Sequence, residues 1–155
     1  MTIRTATPAD AEVLASVHGA SFDQAWSKDD FATWLSRAEG FAMLASRERE
    51  AVAFGLALAA GDDAELLTIA TAQAGRRQGW GRAIFDALNT EAAKRGLSRW
   101  VLEVARNNMP AIGLYKSLGF LEISLRKAYY QQGKDRVDAL VLSRPTGHIS
   151  GQAGA

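Results

Sequence analysis

Cysteine is absent from this chain of 155 residues. A disulfide framework, a cysteine zinc site and a thiol nucleophile are therefore excluded. A long apolar run is also missing, because the longest one, residues 51–60, is too short to span a bilayer. The start, Met1-Thr2-Ile3-Arg4, does not have the form of a signal peptide, so we expect a cytoplasmic protein.

An excess of charge of either sign is missing as well. Lys and Arg number 18 against 17 Asp and Glu, which gives a formal net charge of +1. Such a balance provides no overall attraction to nucleic acid or to a membrane surface, so we expect neither as a direct partner. The length and composition predict a single domain over residues 1–145. We expect the Gly-, Ala- and Ser-rich segment 146–155 to be disordered.

Apolar periodicity and capping residues predict alternating strands and helices. Strands are predicted at 3–6, 41–45, 52–59, 65–71, 99–105, 121–124 and 137–142. Helices are predicted to start at Thr7, at Ser27, at Ala83 and at Asn107 or Asn108, and the first carries a partly exposed structural histidine, His18. A charged turn, 47–50, should join two strands, and residues 129–135 should form a loop. The β–α–β–α order in the middle predicts a partly parallel sheet.

The segment Arg76-Arg77-Gln78-Gly79-Trp80-Gly81-Arg82 lies between an apolar run and a helix start. Glycines let a phosphate approach the backbone, and the free N–H groups and the dipole of a helix start favour an anion. No Gly-Lys-Ser/Thr follows, which excludes a P-loop, and Ile84 stands where a dinucleotide fingerprint has Gly or Ala. The segment is therefore a candidate phosphate loop, with a Gly-rich start of an ordinary helix as the alternative.

Polar groups in apolar surroundings are the candidates for chemistry. Glu103 interrupts an otherwise apolar strand, so it must be exposed, ion-paired or functional, and apolar neighbours could raise its pKa toward neutrality. Tyr115 lies at core spacing with Ala111, Leu114 and Leu118, which by itself favours packing. Asn108 is most simply a helix cap, and Tyr129 with Tyr130 an aromatic pair of a hairpin.

The pattern Arg/Gln-x-x-Gly-x-Gly, met by Arg76, Gly79 and Gly81, resembles the coenzyme A pyrophosphate loop of the GNAT superfamily of N-acetyltransferases. The resemblance covers about residues 3–142 and is greatest to the RimI-type ribosomal-protein-alanine N-acetyltransferases. The segments that carry it are 25–27, 69–71, 77–82, 102–104, 108–120, and Arg126 with Tyr129-Tyr130. Three positions depart from the pattern, with Gln131 in place of proline, Thr71 in place of valine and Trp80 in place of leucine.

The resemblance implies an α/β (α+β) fold with a mixed, mostly antiparallel sheet, a parallel pair at the acetyl-CoA site and about four helices. It implies acetyl-CoA as cosubstrate and no metal. It gives Glu103 the role of general base and Tyr115 that of general acid. The implied cofactor-binding residues are Ile69, Ala70, Thr71, Arg76, Arg77, Gln78, Gly79, Trp80, Gly81, Arg82 and Asn108, and the implied acceptor-binding residues are Trp26, Tyr129 and Tyr130.

The acceptor that the resemblance implies is a protein N-terminus, above all the N-terminal alanine of a ribosomal small-subunit protein. A free α-amine has a pKa of ~7.7–8.0 and is partly neutral at pH 7, whereas a lysine near ~10.4 is almost fully charged. A carboxylate base therefore suits an α-amine better. Acetylation of lysine or of a small-molecule amine remains an alternative, and so does a non-catalytic coenzyme A-binding module. We expect a monomer or a weak dimer.

Overall fold

The computed structural model describes residues 2–21, 26–76, 78–132 and 134–147. In these ranges the chain forms seven strands: β1 (Thr2–Thr5), β2 (Gly40–Arg47), β3 (Glu50–Ala60), β4 (Asp63–Thr71), β5 (Arg99–Ala105), β6 (Leu121–Gln132) and β7 (Asp135–Pro145). The α-helices in the same ranges are α1 (Ala11–Ser21), α2 (Lys28–Ser36), α3 (Trp80–Lys94) and α4 (Met109–Ser117). Short 3₁₀ turns, Pro8–Asp10 and Gln73–Gly75, precede α1 and α3.

The strands form one sheet in the order β1-β2-β3-β4-β5-β7-β6. Neighbouring strands are antiparallel except β4 and β5, which are parallel. This confirms the predicted mixed, mostly antiparallel sheet with one parallel pair. The charged turn also forms as predicted, and Glu48 and Arg49 take positive φ angles of 53° and 70° there, as a tight hairpin turn requires.

The parallel pair is short, and this positions the candidate site. Pairing between β4 and β5 ends at Glu65 with Val101. In the next part of β4, Leu67 is an extra residue, because Leu66 pairs with Ala57 and Thr68 with Leu56 on β3. Such a bulge bends a strand and increases its twist. The carboxyl ends of β4 and β5 therefore diverge and leave a wedge between them.

Helices cover both faces of the sheet. On one face, α3 buries Ile84, Phe85 and Leu88 completely, next to the ring of Trp100 on β5. Burial of each such side chain contributes about 1.5–3 kcal/mol. The apolar spacing on α3 is what directs this face to the sheet. On the other face, α1 and α2 pack against β3 through Leu14, Phe31 and Phe54.

Two expectations from the sequence were wrong. Residues 129–135 are not a loop, because β6 continues to Gln132 and pairs with β7 through Tyr130–Val137 and Gln132–Asp135. The polar residues Gln131 and Gln132 made this stretch look like a loop in the sequence, although the two tyrosines before them favour a strand. His18 is not partly exposed but buried, with 4% of its surface accessible. The chain before α2 covers it, since the Trp26 N–H donates to its Nδ1 at 3.1 Å and the two rings stack.

The C-terminal end of the described chain contacts the body of the protein. The Thr146 hydroxyl donates to the Leu97 carbonyl at 2.6 Å, and the Gly147 N–H donates to the Asn89 side chain at 3.0 Å. The remainder of the segment expected to be disordered, 148–155, lies outside the described residues. Across the described ranges, no helix has the length and apolar content that crossing a membrane needs.

Candidate active site

The wedge between β4 and β5 opens into a cleft of about 750 Å³. This volume lies in the range of small-molecule sites, about 300–1,000 Å³. The cleft brings together eight of the residues singled out from the sequence: Ile69, Ala70, Thr71, Arg76, Glu103, Asn108, Tyr115 and Tyr130. Leu67, Thr68, Val104, Ala105, Pro110, Ala111 and Leu114 complete its wall. Residues far apart in sequence thus meet where two parallel strands separate.

The candidate phosphate loop borders this cleft. Gly79 takes the left-handed conformation, φ +81°, and caps α3 without a side-chain hydrogen bond. The first helical hydrogen bond runs from the Ala83 N–H to the Gly79 carbonyl, 3.1 Å. The N–H groups of Trp80, Gly81 and Arg82 therefore precede the hydrogen-bond ladder of the helix. They form the kind of helix start that binds phosphate.

Side chains hold the loop in place. The indole of Trp80 is buried and donates to Gln78 Oε1 at 3.3 Å, and Arg47 donates to the same oxygen at 3.0 Å. Arg76 lines the cleft and donates through Nε to the Thr71 carbonyl at 3.3 Å. Trp80 thus anchors the loop through Gln78.

Not every predicted residue reaches the cleft. Arg82 donates to the Ser117 carbonyl of α4 at 2.8 Å and lines a different cleft, on the outer side of α3 and α4. Trp26 stacks on His18 and lies beside Phe31 on the α1–α2 side of the sheet, and it is absent from the cleft wall. Arg77 lies outside the described residues. The phosphate-loop prediction therefore depends on the backbone of residues 79–82 and on Arg76.

The two carboxylate oxygens of Glu103 differ in their hydrogen bonding within the described residues. Its Oε1 accepts a hydrogen bond from Arg126 on β6 at 2.7 Å, and its side chain is 25% exposed. Its Oε2 is buried and has no hydrogen-bond partner among the described residues. The second oxygen therefore lies in the cleft with its acceptor positions unused among the described residues.

Tyr115 combines packing with exposure to the cleft. Its ring meets the edge of Phe120, with centroids 5.9 Å apart, and it lines the cleft from α4. Burial, followed by the neighbouring Tyr130, raises the pKa of the Tyr115 phenol from 10.0 to about 12. The phenol thus keeps its proton at every pH at which the protein would be assayed, as a proton donor must.

The two tyrosines of β6 take different positions. Tyr130 lines the cleft, and burial, followed by the charge of Glu103, raises its pKa. Tyr129 is exposed at the rim, packs edge-on against Tyr130 at 5.1 Å and lies beneath the guanidinium of Arg126 at 4.7 Å. Of these two tyrosines, only Tyr130 therefore lines the cleft, while Tyr129 and Arg126 form its outer edge.

Glu65 was not predicted from the sequence to lie near the site. It is half-buried on β4, two residues before Leu67 of the cleft wall. Because it follows Asp62, Asp63 and Ala64, it has the pattern of an exposed residue at a strand start, whereas Glu103 has apolar neighbours on both sides. The hydrogen bond of Arg47 to Gln78 has no signal in the sequence either, because 31 residues separate the partners.

The fold and the cleft are those expected of the Acetyltransferase (GNAT) family, and the chain belongs to this family, whose model matches residues 11–120. This family uses acetyl-CoA, and the resemblance noted in the sequence is confirmed. The chain is 41% identical over 93 residues to the [ribosomal protein bS18]-alanine N-acetyltransferase of Escherichia coli K12. That stretch is 60% of this chain and 63% of the relative, so the match spans less than two thirds of the relative's length.

Two further relatives extend the similarity along the chain. A putative [ribosomal protein bS18]-alanine N-acetyltransferase of Bacillus subtilis is 27% identical over 134 residues, 86% of this chain and 87% of that protein. The crystal structure of the ribosomal-protein-S18-alanine N-acetyltransferase from Escherichia coli superposes with a TM-score of 0.85 at 30% identity. That superposition covers 98% of this chain and 97% of the other.

Proposed function

We propose that this protein transfers an acetyl group from acetyl-CoA to the N-terminal α-amine of a protein, above all a ribosomal small-subunit protein that begins with alanine. The observation that carries the proposal is that one cleft holds both a Glu103 oxygen without a hydrogen-bond partner among the described residues and the protonated phenol of Tyr115. The relatives whose names specify this reaction support the choice of acceptor.

The residues present fit acetyl-CoA. The start of α3 offers the N–H groups of residues 80–82 to the pyrophosphate, with Arg76 beside them. Among the described residues the ladder between β4 and β5 ends at Glu65, so backbone groups of residues 67–70 on this edge of β4 can bind the pantetheine and the thioester carbonyl. Backbone N–H groups directed at a developing oxyanion are among the largest contributions to acyl transfer.

The proton transfers follow from the two side chains. The acceptor nitrogen forms a bond with the carbonyl carbon and gives its proton to Oε2 of Glu103, and the carbon–sulfur bond breaks. Tyr115 gives its proton to the departing thiolate, so that amide and free thiol are the products. Tyr130 and the rim residue Tyr129 would enclose the chain terminus that carries the α-amine, as the family resemblance implies.

The acceptor assignment is tested with two peptides of one composition. One begins with Ala-Arg and has a free N-terminus, and the other is N-terminally blocked and has an internal lysine. Intact-mass analysis after incubation with acetyl-CoA should show one added acetyl group on the first and none on the second. Equal modification of both would exclude the α-amine assignment. Turnover of small amines with neither peptide modified would establish the small-molecule alternative.

Gly81 provides a test of the phosphate loop. A Cβ built at Gly81 lies 3.4 Å from Leu114 Cδ1, so a side chain is accommodated at ordinary contact. Gly81→Asp should weaken acetyl-CoA binding by at least roughly tenfold, because it places a like charge beside the pyrophosphate. The isosteric Gly81→Asn is the matched control, since it adds the same volume without charge.

Calorimetric titration with acetyl-CoA measures both variants, and melting temperatures confirm that both fold. An acid in the first turn of a helix is itself favourable, so the aspartate should not unfold α3. Equal affinities of the Asp and Asn variants would show that no phosphate lies at the start of α3.

A further inference from the structure

Glu65 lies next to Glu103 on one face of the sheet. Glu65 pairs in parallel register with Val101, and Glu103 is two residues further along β5. Because alternate residues of a strand point to the same face, both carboxylates project on the side opposite α3. One strand spacing and two residues separate their Cα atoms, which gives a distance on the order of 8 Å.

Of the two carboxylates, Glu103 pairs with an arginine and, in the described part of the chain, Glu65 does not. Arg126 donates to Glu103 and lies over the ring of Tyr129. Glu65 is half-buried and has no hydrogen bond or ion pair with any residue in the described ranges. Burial, followed by the charge of Glu103, raises the pKa of Glu65. The negative charge of Glu65 is thus uncompensated within the described structure, and a carboxylate in this position is costly unless a cation joins it.

We propose that Glu65 binds a cationic side chain at the second position of the acceptor, so that the enzyme prefers N-termini with arginine or lysine after the first residue. This inference rests on the proposed function. An acceptor whose α-amine reaches Glu103 has its second residue about 3.3 Å further along an extended backbone. A long basic side chain from that position spans the remaining distance to Glu65.

The test uses three peptides that differ only at the second residue, Ala-Arg, Ala-Ala and Ala-Glu, with the same neutral continuation. The parent protein should prefer Ala-Arg. Glu65→Gln should raise KM for Ala-Arg roughly tenfold, because it removes one partner of a partly buried charge pair. It should leave kcat for Ala-Arg unchanged, and both kcat and KM for Ala-Ala. Glu65→Arg should transfer the preference to Ala-Glu, a reversal that a merely structural role does not produce.

Asp63→Asn is the matched control. Asp63 lies on the same strand and face, two residues before Glu65, and forms an ion pair with Arg99 at 3.1 Å. Its loss changes the net charge equally, so it should not alter the preference among the peptides. An equal shift with Asp63→Asn, or an equal loss on all three peptides with Glu65→Gln, would overturn the role of Glu65.

The two proposals fail in distinguishable ways. A parent protein that acetylates the peptides without preferring Ala-Arg overturns only the inference about Glu65. A parent protein that acetylates none of the three N-termini, while it binds acetyl-CoA, overturns the proposed function itself. Melting temperatures of the Glu65 variants identify any loss of folding, and Glu65→Gln keeps the shape of the side chain.

Discussion

Replacement of Glu103 by glutamine is expected to lower kcat by roughly 10²–10⁴-fold at neutral pH, the typical contribution of a general base. The amide keeps an oxygen that accepts from Arg126, so the link between β5 and β6 at 2.7 Å can persist in the variant. What the variant loses is the ability of the second oxygen, buried and without a partner among the described residues, to take a proton. Affinity for acetyl-CoA should change little.

The pH dependence separates a base from a structural residue. A free α-amine has a pKa of ~7.7–8.0, so below this range most acceptor is charged and must lose a proton. Above it the acceptor is already neutral. The deficit of Glu103→Gln should therefore shrink as pH rises from 7 to 9, when kcat is measured with a saturating N-terminal peptide.

Glu122→Gln on β6 serves as the control for Glu103→Gln, because Glu122 is exposed and undergoes the same chemical change outside the cleft. It should reproduce the rate and the pH profile of the parent. A Glu103→Gln variant with a rate deficit that is constant across this pH range would contradict the base assignment.

The local parts of this site could be predicted from the sequence, but the contacts that bring them together could not. The loop 76–82 was predictable, because its glycines and the following apolar spacing act within a few residues. The wedge was not, because it depends on where pairing of β4 and β5 ends and on the bulge at Leu67, which no residue type marks. The partner of Glu103 is 23 residues away on another strand, and only tertiary structure brings the two together.

The roles of aromatic residues show the same limit. Spacing placed Tyr115 in the core, and family resemblance placed it in the site, and the structure has it contacting Phe120 while lining the cleft. His18 and Trp26 each looked independent in the sequence, yet a backbone N–H and a ring stack join them. Burial pattern on a short helix therefore predicts which side faces inward, but not which polar atom meets which.

Replacement of Tyr115 by phenylalanine is expected to lower kcat by roughly 10²-fold or more, the lower range for a general acid. The ring contact with Phe120 at 5.9 Å and the packing of α4 should persist, because only the hydroxyl is removed. The melting temperature and the calorimetric affinity for acetyl-CoA should therefore stay close to those of the parent. A large fall in either would mean that the hydroxyl is needed for structure or binding.

The pH profile of Tyr115→Phe should differ in kind from that of Glu103→Gln. With its pKa raised to about 12, the phenol remains protonated far above neutrality, so the proton that it supplies is present at pH 7 and at pH 9 alike. The rate deficit of the phenylalanine variant should then be constant over this interval, while that of the glutamine variant shrinks. A deficit that disappeared by pH 9 would show that Tyr115 loses its proton in that range, and a rate equal to the parent's, with chemistry rate-limiting, would remove Tyr115 from the mechanism.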